Sequence, residues 1–400
     1  MKPRSSINSG RSRRWLQRGV RKHEGRQRAH PRHRLSACMT IHNSSTTPAV
    51  AAAQPVNHPI LKLALDVHVQ SIVVAPMADA VLKPLRRFSP ADFLAWVKSQ
   101  RAGGWNIISC YEAGPFGYGL HRQLSALGVT NYVIRPRNWD EHHGRVKTDR
   151  TDARAMLVAL DRFVAGQQQA LALVRVPSEV QEQQRARSRL RQKLVKEKKH
   201  LAQHGRGVAL LFGQRLKGKW FGPRNWPRWE RQLPAHVRSL LEPLRVVIGH
   251  LHVEIEALTQ ELEGSVAVPI PKGLGQLTVA TLEREVCDWH RFGNRRQVAA
   301  HTGLVPGEHS SGENRRQGSV TKCGNPRLRW ALCEAAWRLV KYQPNYRLVK
   351  KWWPRLSDPH SVGKRKQAIV ALARGFAVDW WRIRTGQTTA QKLGLELAQP

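Results

Sequence analysis

Acidic side chains are scarce in this 400-residue chain: 28 Asp and Glu stand against 67 Lys and Arg, a formal net charge of +39. Cysteine is scarce too. The five (Cys38, Cys110, Cys287, Cys323, Cys333) form no C-x-x-C pair. That argues against a zinc ribbon or a disulfide framework and fits a reducing, cytosolic setting. No apolar run reaches the length of a membrane span, and no convincing basic amphipathic helix points to a membrane surface. The start of the chain has no apolar stretch of the secretory kind. What remains is a strongly basic chain with 41% hydrophobic residues, enough for ordinary cores. Such a charge favours polyanions through counterion release, so nucleic acid is the leading partner. Fourteen Trp add stacking surfaces.

The length suggests two or three domains. Residues 1–58 read as a disordered basic tail, Arg-rich and then Ser-, Thr-, Ala- and Pro-rich. Met39 offers a second start. Dropping the twelve basic residues and one acidic residue before it leaves about +28, so the polyanion argument is unchanged. Residues 59–177 follow as an α/β domain. Leu61 to Val67 and Ser71 to Ala75 predict a strand hairpin. Ser89 and Pro90 start a helix through Val97. Asn106 to Tyr111 reads as a buried strand, Pro115 to Leu127 as a helix, Asn131 to Ile134 as another strand, and Asp149 to about Val164 as a helix. Strands followed by strand–helix alternation predict a mixed sheet.

Residues 178–264 read as a long-helix, coiled-coil-like segment. Ser178 caps a polar helix to about Leu211, and a second helix, Leu240 to Leu262, returns antiparallel to it. Between them, Gly213 to Pro234 interleaves Trp with Lys and Arg. That composition suits either nucleic-acid contacts or a loop whose Trp pack on the helices. Residues 265–388 form a mainly α C-terminal unit, and 389–400 a tail.

The scarce acids carry the chemistry. Lys147-Thr148-Asp149-Arg150-Thr151-Asp152-Ala153 places Asp149 and Asp152 three apart, on one face of a helix. Asp66 ends the apolar run Leu63-Ala64-Leu65-Asp66, and Glu112 ends Ile107 to Tyr111. Acids at the ends of buried strands, joined by a helix pair, form a cage for hard divalent ions such as Mg²⁺. Two such ions stabilise the attacking and leaving oxygens at a phosphate. The competing reading has Asp149 and Asp152 neutralising nearby Arg and Lys on a solvated helix. This order of acids and elements is that of an RNase H-like nuclease sheet.

In the C-terminal unit, Pro271-Lys272-Gly273-Leu274-Gly275 opens a helix. Its glycines can present N–H groups to a phosphate or can serve a tight turn. Further on, Gly303-Leu304-Val305-Pro306 leads to Ser310-Ser311-Gly312, Arg315, Arg316, Lys322, Gly324-Asn325, Arg327 and Arg329. Hydroxyls among so many cations can offer a nucleophile to a phosphodiester. A flexible Ser-Gly loop on a basic face has the same composition.

Together these motifs resemble the DEDD-type, RuvC-like transposases of the insertion-sequence family numbered one-ten. The resemblance covers roughly residues 61–381, both halves in that family's order. It implies a DNA recombinase that excises and inserts a mobile element. It implies that Asp66, Glu112, Asp149 and Asp152 bind Mg²⁺, two ions being expected, and that Ser311 forms a transient phosphoserine link to DNA. Ser310 beside it leaves that assignment open by one residue. Expected partners are double-stranded DNA at the element ends and target, a structured guide RNA, and further copies in a dimer that assembles to a tetramer. No membrane is expected, and the site would be cytoplasmic, at the nucleoid when bound. Lys147, Arg150, Lys272, Gly273, Gly275, Arg315, Arg316, Lys322, Arg327 and Arg329 are candidate nucleic-acid contacts. A Holliday-junction-type nuclease using the four acids alone, and a non-enzymatic basic nucleic-acid-binding protein, are the alternatives.

Overall fold

The computed structural model describes residues 59–137, 139, 149–309, 314, 316–358 and 362–398, with backbone alone at Asp149 and Arg150. All of them belong to one of the chain's two units, Met39–Pro400. The basic tail, Lys147, Ser310, Ser311, Gly312 and Arg315 lie outside the described residues.

The alternating apolar run after Pro59 forms β1 (Ile60–Val67), which turns into β2 (Ile72–Ala78) as an antiparallel hairpin. β2 continues through Pro76, past the expected end at Ala75. Proline removes a donor only, and the Pro76 carbonyl still accepts from the Lys83 N–H at 3.0 Å. Short strands β3 (Val81–Leu82) and β4 (Arg86–Phe88) both pair with β2. Ser89 then caps α1 (Pro90–Ala102), its hydroxyl accepting from the Asp92 N–H. β5 (Asn106–Glu112) lies parallel to β1, and β6 (Thr130–Ile134) parallel to β5. Between them α2 (Gly119–Ala126) starts later than Pro115, because the chain first turns through Gly117 at φ +66°. The sheet order β3-β2-β1-β5-β6 is mixed, as expected.

The period of two sorts this sheet's residues onto two layers. Leu61, Leu63, Leu65, Ile107 and Tyr111 pack with Phe93, Val97 and Leu124 of α1 and α2. Ala64 and Cys110 face the other way, onto Ala153, Met156, Leu157 and Leu160 of α3 (Asp149–Val164). α3 is therefore the helix that covers the face carrying Asp66 and Glu112.

α4 (Glu179–Leu211) starts at a capping box made by Ser178 and Gln181, and α6 (Ala235–Gly264) returns beside it. Arg191 Nε donates to Thr259 Oγ1 at 2.6 Å and Arg187 pairs with Glu261, which fixes the antiparallel register. α6 starts at Ala235 rather than Leu240, because Pro234 occupies the capping position. Leu241, Ile248, Ile255 and Leu262 are buried at seven-residue spacing.

At the far end of this hairpin the Trp-rich segment, which includes α5 (Trp226–Gln232), folds back as a small core. Trp220 and Trp226 are buried, and Trp220 Nε1 donates to the Ala202 carbonyl at 2.9 Å. Of the two readings of that segment, these two rings follow the packing one. Gly205 makes the packing possible. A Cβ there would stand 2.2 Å from Trp220 Cζ2. Gly205→Ala should therefore destabilise the protein by about 1–3 kcal/mol in urea unfolding, overpacking outweighing the roughly 1 kcal/mol of helix propensity gained. A neutral or stabilising result would mean that the ring is free to move.

The C-terminal part is mostly helical: α7 (Gln276–Val286), α8 (Arg295–Thr302), α9 (Pro326–Tyr342), α10 (Arg347–Leu356) and α11 (Val362–Arg384). They enclose one core around Leu332, Ala336, Leu372, Phe376 and Trp380. Inside it Asp379 accepts from the Tyr346 hydroxyl at 2.7 Å and pairs with Arg347. A two-stranded hairpin, β7 (Pro306–Glu308) and β8 (Gln317–Val320), projects between α8 and α9.

Candidate active site

Asp66 and Glu112 follow directly on the paired residues Leu65 and Tyr111 of neighbouring parallel strands. Each lies two residues beyond a side chain buried under α3, Ala64 and Cys110, so both carboxylates are on the α3 face at the carboxyl ends of their strands. Both are half-buried. Glu112 Oε1 accepts from the Trp139 indole at 2.5 Å and from the Arg137 backbone N–H at 3.2 Å. The Arg137 guanidinium lies 3.9 Å from the centre of the Trp139 ring. Asp66 Oδ2 stands 3.4 Å from His68 Nε2.

α3, which begins with the other two acids, packs across this face of the sheet. Its far end is pinned by Lys62 Nζ on Asp161 Oδ1 at 2.5 Å. From Lys62 to Asp66 the strand advances about 13 Å. From Asp161 back to Asp152 the helix covers about 13.5 Å in two and a half turns, so these two acids lie on opposite sides of it. Asp149 lies one turn earlier on the stripe of the buried Ala153. Among the described residues, Asp66, Glu112 and Asp152 included, no group of three or more His, Cys, Asp or Glu is arranged to hold a metal; the Asp149 carboxylate lies outside the described residues. The donor chemistry fits a hard ion: every candidate ligand is a carboxylate oxygen.

The serine pair falls in the connection between β7 and β8. Glu308 pairs with Gln317, and the His309 N–H donates to the Arg316 carbonyl at 2.8 Å. The base of this hairpin rests on two glycines in close approach. A Cβ on Gly324 would meet the Gly303 nitrogen and the His301 carbonyl at 2.5 Å, so the backbones touch there. Arg316 and Lys322 are exposed, with Lys322 at φ +56°. Arg327 Nε donates to Gln192 Oε1 at 2.9 Å, and Arg329 Nη1 to the carbonyls of Thr302 and Lys322. Gly273, at φ +87°, faces Tyr342, which a Cβ would meet at 2.5 Å. Gly275 caps α7, and Lys272 Nζ lies 3.3 Å from Glu396. Packing alone therefore accounts for a glycine at position 273.

Sequence reasoning missed three features that frame this region: Trp139 over Glu112, the Lys62–Asp161 pair, and a buried junction at Glu285. There Arg189 of α4 holds both Glu285 oxygens at 3.1 and 2.8 Å, and Asn325, which caps α9, donates at 2.7 Å. All three link segments far apart in the chain, 27 residues or more, so no local pattern signalled them.

The family model described as Transposase IS116/IS110/IS902 family matches residues 270–350, from the Lys272 turn through the serine hairpin and α9. A relative from Sinorhizobium fredii named "Putative transposase y4rJ" is 32% identical over 339 residues, 77% of this chain and 84% of its own length. The chain belongs to the IS116/IS110/IS902 transposase family. The transposase for insertion sequence element IS1111A of Coxiella burnetii is 26% identical over 321 residues, 76% of this chain and 84% of its own. The transposase for insertion sequence element IS1328 of Yersinia enterocolitica is 27% identical over 287 residues, 68% and 82% respectively. A transposase acts on DNA, which fits the charge. Among the described residues no helix is long and apolar enough to cross a membrane.

Proposed function

We propose that this transposase excises and inserts its element through a composite site, in which Asp66, Glu112, Asp149 and Asp152 of a RuvC-like domain hold Mg²⁺ and Ser311 attacks DNA. The observation that carries the reading is the placement of Asp66 and Glu112 on adjacent strand ends, under the helix that begins at Asp149. Four carboxylates gathered in one site would repel one another unless cations neutralised them. Held by these carboxylates, two divalent ions would supply charge neutralisation at the phosphate and at the leaving oxygen. Trp139 and the Arg137 N–H orient Glu112 by holding one of its oxygens, which leaves the other to bind.

Ser311 Oγ forms a bond to phosphorus as its proton is lost. The bond from phosphorus to a deoxyribose oxygen breaks, and that oxygen leaves as a hydroxyl. Reversal by a different strand's hydroxyl completes the transfer and frees the serine. Arg315 and Arg316 are placed by sequence to clamp the phosphate. In this reading α4 and α6 are a coiled coil that pairs subunits, first as a dimer and then as a tetramer, so that the serine loop of one copy serves the acids of another. A structured RNA specifies the DNA joined. Arg150, Lys147, Lys322, Arg327 and Arg329 are candidate nucleic-acid contacts.

The test is adduct trapping on element-end DNA carrying a nick that prevents religation. Wild type and Ser310→Ala should yield denaturant-resistant protein–DNA adducts, and Ser311→Ala none. Adducts lost with Ser310→Ala and kept with Ser311→Ala would move the nucleophile by one residue. Normal cleavage in both variants, with no adduct in any protein, would favour hydrolysis of the Holliday-junction type.

A further inference from the structure

Trp is the side chain that most repays burial, and among the described residues Trp139, Trp220, Trp226, Trp289, Trp380 and Trp381 are buried. Among the described residues three are exposed, and all fall between residues 330 and 353: Trp330 at 55%, Trp337 at 40% and Trp353 at 52%. Two of them share one face of α9. Its core face carries Leu328, Ala331, Leu332, Ala335, Ala336 and Leu339. Trp330 and Trp337, seven residues apart, stand on the opposite side, about 10.5 Å apart along the axis.

The surroundings are cationic. Between residues 326 and 366 the sequence has eleven Lys and Arg against two acids, Glu334 and Asp358. Arg365, at the start of α11, lies over the Trp337 ring at 5.3 Å, and Arg338 and Lys341 are exposed at the end of α9. Glu334 stands between the two rings on the exposed face.

We propose that Trp330 and Trp337, with Arg365, Arg338 and Lys341, form a stacking site for an unpaired DNA strand. An exposed indole offers a flat face to any base, and the spacing of the two rings matches about three base steps of 3.4 Å. The cations flanking the rings match the phosphates of such a strand. Glu334 lies where a base presents its edge, a position at which a carboxylate accepts from an exocyclic amine. A duplex has its base faces covered by their neighbours and gains nothing from exposed rings. A second protein subunit would meet a surface of like charge. DNA is the expected source, because cutting a duplex at an element end frees single strands. The inference rests on the family's DNA chemistry and not on the roles given to the four acids and Ser311.

The experiment is binding of a fluorescent 12-nucleotide oligothymidine to the full-length protein in magnesium-free buffer. Magnesium-free conditions separate it from the cleavage chemistry. Trp330→Ala and Trp337→Ala should each weaken binding roughly tenfold, while Trp330→Phe retains most of it and duplex binding changes less than twofold. Both rings are exposed, so thermal midpoints should hold and serve as the folding control. Equal loss of duplex and single-strand binding would overturn the proposal, as would no loss of either. A double variant that falls to a smaller oligomer in light scattering would make this face a subunit contact instead. Stronger binding of oligouridine than of oligothymidine, lost in the same variants, would overturn the assignment to DNA.

Discussion

Asp66→Asn should lower excision and strand transfer at least about a thousandfold, the scale on which removing a single transition-state contact is felt, while leaving the fold unchanged. The substitution keeps the shape of the side chain and removes its charge. Asp66 is half-buried at the end of β1, beyond the core residues Leu63, Ala64 and Leu65 that hold the strand. The cost to stability should therefore stay within about 0.5 kcal/mol, as for other changes away from packed features. A carboxylate that ligates a cation cannot be replaced by an amide without loss of charge neutralisation. Asp161→Asn is the contrasting variant. It breaks the pair with Lys62 at the other end of α3 and should leave strand transfer within a few-fold of wild type. A mini-element excision assay, run beside thermal unfolding, reads both. Wild-type excision by Asp66→Asn would end the four-carboxylate reading, whatever Ser311 does.

At the Glu285 junction the two partners should prove unequal. Glu285 has no exposed side-chain surface, whereas Arg189 is 37% exposed. Arg189→Ala strands a buried carboxylate with Asn325 as its remaining partner, and should cost about 3–5 kcal/mol. Glu285→Ala leaves a guanidinium that can turn to water, and should cost less. Burial alone would raise the Glu285 pKa; the hydrogen bonds from Arg189 and Asn325 outweigh it and hold the carboxyl below its usual range. Its contribution is thus present above the ordinary carboxylate pKa and lost as the pH falls through the lowered one. Burial, with Arg291 nearby, pushes the His301 pKa down from 6.5 to about 4. The unfolded chain takes up that proton first, so stability should begin to fall below about pH 6.5, before Glu285 titrates. Urea unfolding between pH 8 and 4 measures this slope. His301→Gln should flatten it, and an unchanged slope would remove His301 as its source.

Much of the architecture is legible locally. The runs ending at Asp66 and Glu112 read as buried strands because their apolar residues are dense and bounded by turns. Ser89 and Ser178 mark helix starts because a serine hydroxyl satisfies an orphan N–H there. The pairing of α4 with α6 is legible as two long stretches that each carry one apolar stripe to cover. The carboxylates stand out because acids are so few.

Where one residue type serves two purposes, the sequence by itself left the purpose open, and tertiary contacts decided it. Gly273 could have bared N–H groups to a phosphate, but Tyr342, 69 positions away, lies against it. Trp220 could have stacked on a base; Gly205 leaves room for it inside the hairpin, while Trp330 on α9 finds no such cavity and stays in water. Glu285 is one of two acids in α7, and nothing local distinguishes it from Glu283 until α4 brings Arg189 to it. Chain periodicity determines which face of an element is apolar, and that is a property of neighbours in sequence. Whether a ring is covered, a glycine crowded or a carboxylate neutralised depends on segments well removed in the chain, up to 96 residues away at Glu285, and only the folded chain brings those within a few ångströms.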